Sequence, residues 1–186
     1  MDFFRVLQQL SDSFRQADIH YALIGGFAMA MHGVQRATVD LDFILLLDDL
    51  KHADQILRDS GYHRHFQSEN VSHYRSADTE FGRIDILHAF RPATRAMLER
   101  VEQMTIDDGM VIAVAKIEDI IGLKIQAACN NPARHSSDWQ DIRLLLEAAA
   151  VQQKPLDFTL IRDYLDVFAE LDRYQEIIDW YGQTDR

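Results

Sequence analysis

At 186 residues the chain has room for one domain, or a compact domain with a helical extension, and for a buried core. With 47% apolar residues disorder is not expected, and the longest apolar run, around Leu41 to Leu47, is broken by Asp42 and too short to span a bilayer. The net charge of −11 argues against broad, sequence-blind nucleic-acid binding, although a local basic cleft is compatible with it.

The N-terminal Met1-Asp2-Phe3-Phe4-Arg5 lacks the basic, apolar and small-residue order of a signal peptide. Cys129 stands alone, so no internal disulfide forms and a reducing cytoplasm suits the chain. Residues 3 to about 17 place Phe3, Val6, Leu7, Leu10 and Phe14 at helical spacing, which predicts an amphipathic helix. Tyr21 to Ile24 reads as a short buried strand ending at Gly25-Gly26, and Phe27 to His32 as a helix stopped by Gly33. Val39 to Leu47 is the next strand, with Asp48 expected to cap a helix running to Ser60-Gly61.

The segment from Tyr62 to Ala77 is polar and rich in His and Ser, and reads as either an irregular strand pair or a mobile loop. Arg83 to His88 is an apolar strand, Pro92 opens a helix to about Arg100, and short strands near Glu102 to Ile106 and Val111 to Val114 flank Asp107-Asp108-Gly109. Helices follow: Ile117 to Ala128, then Asp138 to about Ala150 behind a cap at Ser136 or Ser137, then Thr159 to Phe168 and Asp172 to Trp180. The order predicts a mixed α/β (α+β) core over residues 1–115 and a helical C-terminal part over 116–186 packed on it.

Within this frame the chemistry concentrates at Asp40-Leu41-Asp42-Phe43. Strand residues alternate faces, so Asp40 and Asp42 project together while Leu41 and Phe43 point the other way. Two like charges side by side are unfavourable unless something positive lies between them. Asp85, in Ile84-Asp85-Ile86-Leu87, supplies a third acid inside an apolar strand, where an unpaired carboxylate is costly. Three such carboxylates would hold one or two Mg²⁺ ions, or Mn²⁺, roughly 3.5–4 Å apart, an arrangement suited to in-line displacement at phosphorus. The bland alternative is an edge strand whose acids face water. Gly25-Gly26, between strand and helix, would let backbone N–H groups approach a phosphate, or would be merely a turn.

Gly-Gly, the Asp-x-Asp strand and a later strand acid, in this order, resemble the polymerase-beta-like nucleotidyltransferase superfamily. Leu23-Ile24-Gly25-Gly26-Phe27-Ala28, His32-Gly33, Arg36, Thr38 and Asp40-Leu41-Asp42-Phe43 resemble the first motif of its AbiEii-like branch, which includes MenT-type toxins of toxin–antitoxin systems. The second motif's strand acid matches Asp85, the third, Lys-x-x-Ala, matches Lys124-Ile125-Gln126-Ala127, and the fourth, Asp-x-x-Asp, matches Asp138-Trp139-Gln140-Asp141. The resemblance implies metal ligation by Asp40, Asp42 and Asp85, and catalytic roles for these acids with Lys124, Asp138 and Asp141. It further implies an NTP substrate contacted by Gly25, Gly26, Arg36, Lys124 and Arg134, an acceptor hydroxyl on tRNA or protein, and an antitoxin partner. The rivals are an antibiotic nucleotidyltransferase using the same core and a non-catalytic nucleotide-binding module.

Lys124 interrupts the apolar stripe of Ile117, Ile120, Ile121 and Ala128, so it is expected either to snorkel at the core edge or to emerge beside a triphosphate. Asp138 and Asp141 share a helix face and would orient the lysine, or else serve the helix dipole and pair with Arg143 or Arg134. His63, His65 and His73 lack the Cys pair or His-x-x-x-His spacing of a zinc site. Phe158, Tyr164, Phe168, Trp180 and Tyr181 are expected to pack the C-terminal helices.

Overall fold

The computed structural model describes residues 3–76, 82–106 and 109–182. They divide into two compact units, one of residues up to Ala28 with Arg36–Ala115, the other of Met29–Gln35 with the chain from Lys116 onward.

The first unit is built on a seven-stranded sheet in the order β3-β4-β5-β2-β1-β7-β6. Its strands are β1 (Tyr21–Ile24), β2 (Asp40–Leu46), β3 (Tyr62–Gln67), β4 (Val71–Ser76), β5 (Arg83–Ala89), β6 (Glu102–Thr105) and β7 (Val111–Val114). β2 pairs with β1 antiparallel and with β5 parallel, so it is covered on both edges. Its alternation is visible in burial: Leu41 and Phe43 are buried, whereas Asp40 and Asp42 are half-buried on the opposite face.

The apolar face of the sheet receives α1 (Phe3–Gln16), whose Val6, Leu7, Leu10 and Phe14 stripe is buried. Phe14 meets Phe43 edge-on at a centroid distance of 5.8 Å and tilts against Tyr21 at 5.3 Å. This aromatic cluster fixes which way β2 faces. A slip of one residue would drive Asp42 into it. Helix α3 (Leu50–Asp59) packs beside α1 and β3, and α4 (Pro92–Glu99) starts on its proline as expected.

The polar segment after Tyr62 is an ordered antiparallel pair, β3 with β4, carrying a bulge between Arg64 and Phe66. Its anchors are Tyr62 and Tyr74, both fully buried, with Tyr74 donating to Asp54 at 3.0 Å. Burial pushes both phenols up to about 12. Asp48 does not cap α3: it lies in a 3-10 turn, Leu47–Asp49, and the capping position falls to Asp49, which makes no side-chain cap bond. Of the expected turn Asp107-Asp108-Gly109, the two aspartates lie outside the described residues.

The second unit is helical: α5 (Ile117–Asn130), α6 (His135–Val151), α7 (Phe158–Val167) and α8 (Tyr174–Gly182). Neither Ser136 nor Ser137 caps α6. The helix starts earlier, at His135, after a 3-10 turn Pro132–Arg134, and Ser137 donates back to the Arg134 carbonyl at 2.9 Å. Asp157 caps α7, accepting from the backbone N–H groups of Thr159 and Leu160. Gly122 on α5 makes room for the Tyr164 ring, which a Cβ there would meet at 2.7 Å, and the Tyr164 hydroxyl donates to the buried Asp119 at 2.7 Å. Phe158 packs edge-on against Tyr181 at 5.2 Å, consistent with aromatics serving the helical core.

Candidate active site

Parallel pairing of β2 with β5 sets Asp42 directly opposite Asp85, and Asp40 opposite Arg83. Three carboxylates therefore share the sheet face turned away from α1, two of them side by side across neighbouring strands. Local structure explains how Asp42 fits. Gly25 follows the β1 residue that pairs with Asp42, adopts φ +66°, and would carry any Cβ into the Asp42 carboxylate, 2.7 Å from its Cγ. A Cβ on Gly26 would likewise meet that of Thr38 at 2.8 Å, and Thr38 in turn donates to the Asp40 carbonyl at 3.3 Å. The expected helix after the glycine pair begins at Gly25 itself, in α2 (Gly25–Met31). In this geometry the two glycines admit Asp42 and Thr38 to the end of β1.

The acids are not left to repel one another. Arg83 grips Asp40 bidentately, Nε to Oδ1 at 2.7 Å and Nη2 to Oδ2 at 2.6 Å. These bonds and the Asp40 charge hold the guanidinium even more firmly protonated than usual, with Asp85 and Asp42 adding to the effect against slight desolvation. Asp85 is met by His73 from β4, Nδ1 to Oδ1 at 2.7 Å, and the Phe66 ring stacks on His73 at 5.2 Å.

Among the described residues, no group of three or more His, Cys, Asp or Glu stands close enough together to hold a metal ion in this arrangement. The donor chemistry nevertheless fits a hard divalent cation: Asp40, Asp42 and Asp85 offer carboxylate oxygens on two paired strands, with enough exposure for water and phosphate to complete a shell. Both oxygens of Asp40 are engaged by Arg83.

In the second unit Lys124 is buried, at 7% exposure. Its ammonium donates to Asp138 at 3.0 Å and to Asp141 at 2.6 Å, joining α5 to α6. Arg134, exposed on the preceding turn, adds a bond to the same Asp138 oxygen at 3.2 Å. Asp138 Oδ2 is buried with no hydrogen-bond partner among the described residues. The structure thus brings four sequence-predicted residues, Lys124, Arg134, Asp138 and Asp141, into one polar knot. Arg143 pairs instead with Glu147.

Arg36 lies exposed in the segment leading to β2. Sequence reasoning missed Arg83 altogether, and weighed His73 only as a zinc ligand rather than as a partner of Asp85. Their signal was the positive charge that two adjacent acids demand, but only the β2–β5 and β4–β5 registers say which residues supply it.

A family model described as the nucleotidyl transferase AbiEii toxin of a type IV toxin–antitoxin system matches residues 5–179. A comparison with curated proteins returns no match. Among solved structures, the antibiotic-resistance factor ANT(2'')-Ia superposes with TM-score 0.68 at 14% identity, over 95% of this chain and 99% of that one. An antigenic nucleotidyltransferase-like protein from Paracoccidioides brasiliensis gives 0.56 at 17% identity, over 93% and 91%. The lincosamide antibiotic adenylyltransferase LnuA gives 0.53 at 19%, over 77% and 93%. The fold is that of the polymerase-beta-like nucleotidyltransferases.

Proposed function

The chain belongs to the AbiEii nucleotidyl transferase family, and from that premise we propose that it is a divalent-metal-dependent enzyme moving a nucleotide from an NTP to an acceptor hydroxyl on RNA or protein, as the toxin of a toxin–antitoxin pair. The observation that carries the reading is the in-register pairing of Asp42 with Asp85, with Asp40 on the same face. Mg²⁺ is the proposed ion, with Mn²⁺ as substitute, held by Asp40, Asp42 and Asp85. When bound, it would neutralise phosphate charge and favour ionisation of the attacking hydroxyl.

The chain's own groups supply the rest. Gly25 and Gly26 carry no side chains of their own, which lets Asp42 and Thr38 pack against the end of β1, and by family resemblance the two glycines are proposed as nucleotide contacts. Asp85 is oriented by His73. By family resemblance, Lys124, Asp138 and Asp141 are proposed as catalytic, and Arg36 and Arg134 as contacts to phosphate or acceptor. An antitoxin protein is the proposed partner and the cytoplasm the proposed compartment; among the described residues no helix is long and apolar enough to cross a membrane.

A second reading, transfer to a small-molecule hydroxyl, is prompted by the end-to-end superposition on ANT(2'')-Ia, a protein described in complex with adenylyl-2''-tobramycin. Incubation of the protein with each α-labelled NTP, Mg²⁺ and either total RNA, cell protein or aminoglycoside separates the readings. We expect label in RNA or protein with the wild type and none with Asp40→Asn/Asp42→Asn. Label confined to the small molecule transfers the assignment to the second reading, and equal labelling by the double variant removes the carboxylates from the site.

A further inference from the structure

Asp40 and Asp42 share a strand face and need a positive charge beside them, and the chain carries one of its own. Arg83 opens β5 opposite Asp40, and its planar fork takes both carboxylate oxygens at 2.6 and 2.7 Å. A carboxylate engaged this way has one lone pair of each oxygen committed, and the guanidinium charge beside it opposes the approach of a second cation. Resting on the reading of Asp40 as a metal ligand, we propose that Arg83 is a positioning residue, a placeholder cation that a divalent ion must displace to reach Asp40.

Three features make the exchange physically reasonable. The pair is weak enough to open: the Arg83 side chain is 48% exposed and that of Asp40 22%, a setting in which solvent screens most of the attraction. The pairing is also fixed by the sheet, because a parallel ladder running from Asp40–Arg83 to Leu46–Ala89 holds the two backbones in register whether or not the side chains touch. Finally, Arg83 feels Asp85 and Asp42 as well as Asp40, so its charge balances the whole acidic face. Without it, three half-buried acids would repel one another in the cation-free protein. The guanidinium thus keeps the face folded and ready, at the expense of affinity for free metal.

A residue that merely stabilised the fold would, on removal, weaken metal binding or leave it unchanged. A placeholder does the opposite. Calorimetric titration of nucleotide-free protein with Mn²⁺ tests this, using the wild type, Arg83→Gln, Arg83→Lys and Asp40→Asn, with metal-free melting temperatures alongside. Arg83→Gln should bind Mn²⁺ more tightly by roughly fivefold, the factor to which an exposed pair of this kind converts, and should melt lower without metal. Arg83→Lys, which keeps the charge but not the fork, should fall between it and the wild type. Asp40→Asn should bind more weakly than the wild type. If Asp40→Asn weakens binding while Arg83→Gln binds no more tightly than wild type, the placeholder role is wrong and the metal site stands. If Asp40→Asn binds as the wild type does, or no protein binds Mn²⁺, the metal reading falls and this inference with it.

Discussion

Burial decides what Lys124 does. An exposed lysine could lose its charge at little cost, but Lys124 holds two carboxylates that are themselves almost wholly buried, Asp138 and Asp141. Removing the ammonium strands both, and breaking a buried pair of this kind costs about 3–5 kcal/mol. Lys124→Met should therefore destabilise the protein strongly in urea unfolding, and adding Asp138→Asn and Asp141→Asn to it should recover much of the loss. If Lys124→Met unfolds at the wild-type midpoint, the knot between α5 and α6 contributes nothing. The sequence disclosed that Lys124 broke an apolar stripe and that two acids sat one turn apart on a later helix. It did not disclose that they meet, because that contact joins two helices and is absent from either one's periodicity. The same limit hid the pairings made by Arg83 and His73, whose partners lie across strand pairings of long sequence separation.

Elements were legible where their periodicity is local. The stripe of α1 and the alternation of β2 fix which face each buries, and both appear in the burial of Leu10, Phe14, Leu41 and Phe43. Helix starts were less legible. Asp48, Ser136 and Ser137 are all good capping residues by type, yet each is preceded or absorbed by a 3-10 turn or an extra half-turn of helix, so the chain entered earlier or later than the cap implied. Strand pairing gives a prediction of its own at β4–β5. His88, buried on β5, donates from Nδ1 to the Glu69 carbonyl at 2.8 Å, since a carbonyl can only accept, which leaves Nε2 to accept from Ser72 at 3.0 Å. Desolvation lowers the His88 pKa below its ordinary 6.5, with Arg64 adding to the shift and the Glu69 bond opposing it. A depressed folded-state pKa means the unfolded chain takes up the proton first, so stability is complete above pH 6.5 and is lost as the pH falls through the folded-state value. The melting temperature of the wild type should drop as the pH falls below about 6.5, and His88→Asn, whose amide can keep the Glu69 bond, should flatten that drop. Parallel melting curves for the two proteins across this range would show that His88 is not the group responsible.

At the scale of the whole molecule, charge restricts the acceptor. A chain of net charge −11 repels polyanions at long range, so an RNA acceptor must be held by few, local cations. Arg134 is more than half exposed and Arg36 is exposed, and these are the two proposed contacts. Each phosphate neutralised contributes about −0.7 to the slope of log affinity against log salt on single strands, so two contacts predict a slope of about −1.4. Filter binding of labelled RNA between low and physiological salt measures it directly. Arg36→Glu with Arg134→Glu should abolish most of this salt dependence and most of the RNA affinity, while NTP binding, measured separately by calorimetry, falls less. A slope steeper than about −3 would mean that cations elsewhere carry the RNA and that these two arginines are ordinary surface residues. No measurable RNA affinity at any salt, together with label entering an aminoglycoside, would instead match the sign of the global charge. A polycationic acceptor is attracted by the same −11 that keeps RNA away.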